Sequence, residues 1–115
     1  MARGPLIIFS YAPDIFTQLN KPLPRSLIEH EGVHLQRQRA MGVKAWWDWY
    51  LTDPQFRWDE ELLAHRKEYQ VLASEARTFK QRQAALKIVA KKLAAPLYGR
   101  MVSTEQAMQL LTQGE

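Results

Sequence analysis

The sequence predicts a small α+β domain in which helices dominate, built around one helix that carries a short polar motif. Three observations lead there. Helix start and stop signals recur along most of the 115 residues. One β-branched and aromatic run, "LIIFSY" at Leu6–Tyr11, follows Gly4-Pro5 and reads as a short strand. The stretch "IEHEGVHLQRQ", from Ile28, places His30, Glu31 and His34 in the pattern H-E-x-x-H.

The remaining elements follow in order. "APDIFTQLNKPLP" holds three prolines and an asparagine, so it reads as a connection with a turn of helix near Ile15. Pro24 suits the first turn of a helix, where no N–H donor is needed, and Gly42 suits its stop. The aromatic segment "VKAWWDWYL" comes next. Asp53-Pro54 then supplies an N-cap and a proline at the first helical position, opening a long helix to about Arg77. Thr78 with Gln81 is a capping-box pair for a further helix that ends before Pro96. Ser103 with Gln106 repeats the pair for a last helix, "TEQAMQLLTQ". No repeat or low-complexity segment divides the chain, so residues 1–115 read as one domain.

Composition narrows the chemistry. Hydrophobic residues make up 46%, enough for a real but small core. With no cysteine, a disulfide framework and a thiolate metal site are both excluded, and any metal must rely on His and carboxylate ligands. Sixteen Lys+Arg against twelve Asp+Glu give a net charge of +4, a mild excess that does not argue for nucleic acid. No base-reading motif is present either, so nucleic-acid binding is the least favoured class. The early apolar run Leu6–Phe9 is far too short to span a bilayer and lacks the features of a secretory signal. The expectation is a soluble cytoplasmic protein with no membrane span.

Residues four apart on a helix share a face, so His30 and His34 can point at one ion. Glu31 sits about 100° further round, within reach of a water on that ion. Zinc held by two imidazoles needs a third protein ligand and an open position, and a nearby carboxylate takes the proton from water. The alternative is a helix whose two histidines are merely surface-exposed or hydrogen-bonded. Leu27, His30, Glu31, His34, Gln38 and Met41 share one side, and inward-facing histidines need partners. On the long helix, Trp58, Leu62, Tyr69, Leu72, Ala73 and Ala76 gather around Glu61, with His65 alongside. Glu60 falls on the polar side near Lys67. A carboxylate in an apolar stripe needs a compensating charge, either an arginine or a metal for which Glu61 is the third ligand.

His30-Glu31-x-x-His34, followed by Glu61-x-x-Ala64-His65 on a downstream helix, resembles the gluzincin group of zinc metallopeptidases. The resemblance covers Leu6 to about Gln70. It implies a zincin-like active-site helix, Zn2+ bound by His30, His34 and Glu61, and Glu31 as general base. One position departs: His65 stands where the group has an acid that orients a zinc-bound histidine. Without a propeptide or a substrate subdomain, the chain looks like the minimal zincin-like proteins found in phages and prophages. That likeness implies a bacterial host cell, or association with a virion.

Hydrolysis also needs a donor for the oxyanion. Tyr69, Tyr98 and His65 are candidates, with Tyr98 favoured because it lies in a turn next to Gly99. By analogy with zincins, "LIIFSY" is an edge strand that holds an extended substrate. Trp46, Trp47, Trp49 and Tyr50 read mainly as packing, with one face left for a protein partner. The basic face with Lys80, Arg82, Lys87, Lys91 and Lys92 reads as solvated. The expected function is zinc-dependent hydrolysis of peptide or protein substrates. The alternative is a catalytically silent structural or interaction protein, such as a virion component, that uses zinc as a staple.

Overall fold

The computed structural model describes residues 8–18, 21–99 and 101–113. Leu6 and Ile7 of the expected strand, with Gly4 and Pro5, lie outside the described residues. Strands β1 (Ile8–Tyr11) and β2 (Asp14–Thr17) precede helices α1 (Arg25–Met41), α2 (Val43–Thr52), α3 (Pro54–Glu75) and α4 (Phe79–Leu93). A 3-10 turn at Pro96–Tyr98 leads into α5 (Thr104–Thr112). The architecture is mostly helical, with a small two-stranded antiparallel sheet.

The segment around Ile15 is a strand and not a turn of helix. Ile15, Phe16 and Thr17 are β-branched or aromatic, and they pair with β1 in a register running from Ile8↔Thr17 to Tyr11↔Asp14. Ala12 and Pro13, joined by a cis peptide bond, make the turn between them. The prolines on either side of this strand hid it, because they fill the connection with turn signals. A lone hairpin is marginal in water. This one is fastened to α1 by Gln38, whose side-chain amide donates to the Ser10 carbonyl at 2.8 Å and accepts the Ala12 N–H at 2.8 Å. Ser10 is buried, while its neighbours Phe9 and Tyr11 are exposed.

The caps explain the helix boundaries. Pro24 is the N-cap of α1 and stands just before the first turn. Gly42, at φ +96°, ends α1 and lets the chain turn at once into α2. The Asp53 carboxylate accepts the N–H groups of Gln55 and Phe56, with Pro54 at the start of α3. The helix stops at Glu75, two residues short of the expected Arg77. Ser103 and Gln106 form a complete capping box on α5. On α4 only half of one forms: Thr78 accepts the Gln81 N–H, but the Gln81 side chain accepts from Arg77.

Helices α3, α4 and α5 enclose the apolar core of Trp58, Tyr69, Leu86, Val89, Leu93 and Leu111. Helix α1 packs along the other side of α3, in the most extensive contact between elements. A polar layer is buried between them. Glu60 belongs to this layer and not to the surface. It is 2% exposed, chelated by Arg37 at 2.8–3.1 Å and bonded by the Trp46 indole at 2.7 Å. Both α1 and α2 pack on α3, so two adjacent positions, 60 and 61, are covered from different directions. No helix among the described residues is long and apolar enough to cross a membrane.

Candidate metal centre

His30 and His34, one turn apart on α1, both face Glu61 of α3. His30 Nε2 stands 3.4 Å from Glu61 Oε1, and His34 Nε2 stands 3.2 Å from Oε2. The ligand atoms of the three lie within 4.8 Å of one another. Glu31 is beside them: its Oε2 is 3.6 Å from His30 Nε2, and its Oε1 accepts the Ser10 hydroxyl at 2.8 Å. The three expected ligands and the expected base therefore converge in the buried layer between α1 and α3.

The charges there do not balance by themselves. Glu31, Glu61 and Glu68 are buried carboxylates, and Lys92 is their lone fixed cation among the described ion pairs. Three minus one leaves two negative charges, the complement of a divalent cation. Without an ion, imidazole takes up part of the deficit. Burial works against a charged His30, but the nearby Glu61 carboxylate and the bond to Glu68 outweigh burial and raise its pKa to about 9. Burial likewise works against a charged Glu61, yet His30 and His34 hold its pKa well below the carboxylate range. Glu61 Oε1 still has no hydrogen-bond partner among the described residues, and neither does His34 Nδ1. Two imidazole nitrogens and a buried carboxylate with one unpartnered oxygen fit a zinc-type donor set.

His65 does not take the place that the resemblance gives it. Its Nδ1 donates to the Glu61 carbonyl at 2.7 Å, and burial lowers its pKa to about 4, so it is a neutral ring packed edge-on to His30. Glu68 holds His30 instead, with Oε1 at 2.8 Å from Nδ1. Seven residues bring the helix back to nearly the same face, so Glu68 follows Glu61 toward α1. Lys92 of α4 donates to the other Glu68 oxygen at 2.7 Å. This partner fixes the His30 ring with Nε2 toward Glu61. His30, His65 and Glu68 form a second group close enough to share an ion, but both Glu68 oxygens are already engaged. Glu68→Gln is expected to weaken zinc binding by about 10–100-fold. Competition with a chromophoric chelator measures it, and an unchanged affinity would remove Glu68 from the centre.

A cavity of about 120 Å³ opens on the centre, walled by Ser10, Glu31, His34, Trp47, Tyr50 and Tyr98 among others. Tyr98 is thus brought to the site as expected. Burial raises its pKa and the charge of Glu61 raises it further, so the phenol stays protonated. Tyr69 is not brought there: it is buried in the apolar core. Eight residues beyond Glu61 the helix has advanced by about 80°, which turns Tyr69 toward α4.

Three residues at the centre escaped sequence reasoning. The Tyr50 hydroxyl donates to Glu61 Oε2 at 2.6 Å. Ser10 reaches Glu31 from a distant hairpin, with no local signal. Glu68 had one, its seven-residue spacing from Glu61. The aromatic segment is largely spent inside the protein. The Trp46 indole bonds Glu60 and the Trp47 indole bonds the Ser10 carbonyl, while Trp49, 51% exposed, is left for any partner.

No protein-family model, no curated protein and no solved structure matches this chain.

Proposed function

We propose that the chain is a zinc-dependent metallopeptidase of minimal, zincin-like design, with His30, His34 and Glu61 as ligands and Glu31 as general base. The observation that carries this reading is the convergence of two imidazole nitrogens and a buried carboxylate beside a carboxylate that is free on one oxygen. Zinc in such a set supplies a Lewis acid that polarises an amide carbonyl and acidifies water. Glu31 takes the proton at Oε2, because Oε1 is held by Ser10. Burial raises the Glu31 pKa against the opposing pull of His30 and His34, which makes it a better base than an exposed glutamate. The leaving amine nitrogen receives that proton. Tyr98, a protonated phenol at the cavity wall, donates to the oxyanion. Tyr50 orients Glu61.

A second reading is a silent zinc staple in a structural or interaction protein, such as a virion component. It is favoured by the position of the centre, which bridges α1 and α3 in a chain small enough for a metal to matter to stability. Protein purified without chelator or tag-borne metal is expected to carry about one zinc per chain by elemental analysis. Absence of metal, with no uptake of added zinc, removes both readings. Zinc together with cleavage of a broad peptide library supports the peptidase, and zinc without cleavage supports the staple.

A further inference from the structure

Strand β1 lines the cavity at the centre with Ile8, Phe9 and Ser10, and an extended peptide would dock there by pairing with the edge that faces away from β2. Part of that edge, between Ser10 and Ala12, is already taken. The Ser10 carbonyl accepts from the Gln38 side chain at 2.8 Å and from the Trp47 indole at 3.1 Å. The Ala12 N–H donates to the Gln38 oxygen at 2.8 Å. One amide group that takes the carbonyl of a residue and the N–H two positions later reproduces what a neighbouring strand would offer. Gln38 is 0% exposed, so a substrate cannot displace it without prising the hairpin from α1. Beyond this closed stretch the cavity measures about 120 Å³, walled by Trp46, Trp47, Tyr50 and Tyr98. A second cavity of about 320 Å³ adjoins the centre on the side of Ile8, His30, Glu31 and Tyr98.

We propose that Gln38 closes the Ser10–Ala12 part of the β1 edge to substrate strands and so makes the centre favour short peptides over long extended ones. The proposal rests on the peptidase reading and makes Gln38 a specificity-determining residue. Its test compares the zinc-loaded chain on a dipeptide, a tripeptide and a long end-blocked peptide containing the same scissile pair. The expected kcat/KM is at least ~10-fold higher for the unblocked short peptides. Gln38→Leu should narrow that gap by lowering KM for the long peptide. Because this variant can loosen the hairpin, amide hydrogen exchange on the wild-type chain provides an independent readout. The Ala12 N–H is expected to be protected, with no further slowing at Ser10 or Ala12 when the long peptide is added. Equal cleavage of long and short peptides, an unprotected Ala12, or peptide-induced slowing at Ser10 or Ala12 would each overturn the proposal. Failure to hydrolyse any peptide counts against the peptidase reading instead, and the exchange result still decides whether the edge is closed.

Discussion

Glu31→Gln is expected to keep its zinc and its fold and to lose peptide hydrolysis by at least ~100-fold, the usual contribution of a general base. Its Oε1 only accepts from Ser10, a bond that the oxygen of an amide of the same shape also accepts. His30, His34 and Glu61 are untouched. What disappears is a basic oxygen able to take a proton. Stability should not fall. Burial raises the Glu31 pKa, so the folded state disfavours this carboxylate relative to the unfolded chain, and a neutral amide removes that cost. Elemental analysis, a thermal melt and cleavage of a peptide library by both proteins make the test. A variant that holds zinc and cuts as fast as wild type would assign proton transfer to another group.

Glu61→Gln and Glu60→Gln should separate the roles of two adjacent buried carboxylates. Glu61 faces both imidazoles and carries the unpartnered oxygen, so its loss removes a ligand. This variant is expected to lose stoichiometric zinc on dialysis, and added zinc should no longer raise its melting temperature. Glu60 touches neither motif histidine. It accepts from Arg37 and Trp46, tying α1 and α2 to α3. Weakening those charge-assisted bonds should cost about 1.5–3 kcal/mol of stability while leaving the response to zinc intact. Melting curves with and without zinc read both effects. If Glu60→Gln loses zinc as completely as Glu61→Gln does, the ligand set is wrong.

The parts of the fold legible in the sequence are those governed by local chemistry. Asp53-Pro54, Ser103 with Gln106 and Gly42 mark helix ends through bonds made within a few residues. Helical spacing also made legible that His30 and His34 share one face and that Glu61 lies on the apolar side of its own helix, whereas the meeting of the two was only implied by the resemblance. Features that depend on two elements meeting were not legible. Helical spacing put Glu60 outward since it describes one helix at a time, whereas α2 arrives from a direction that spacing along α3 cannot contain. Tyr69 shares the apolar half of α3 with Glu61, but that half divides between α1 and the core. Ser10 breaks the rule of apolar-inward strands: the strand buries its hydroxyl residue and exposes Phe9 and Tyr11, because what lies beneath it is a charged centre.

The bond from Lys92 to Glu68 has a bearing on portability. Every proposed ligand, the proposed base and the Glu68 carboxylate that holds His30 lie before Arg77, so a designer could cut out that stretch as a self-contained cassette. Its charge balance is not contained in it. Glu68 is satisfied on one oxygen by His30 and on the other by a lysine that arrives only with α4. Grafted elsewhere without that lysine, Glu68 would be a buried carboxylate with one oxygen unsatisfied, and its uncompensated charge would favour the imidazolium over the neutral ring that a metal needs. Transplanting the centre therefore means carrying over a cation that never touches the metal.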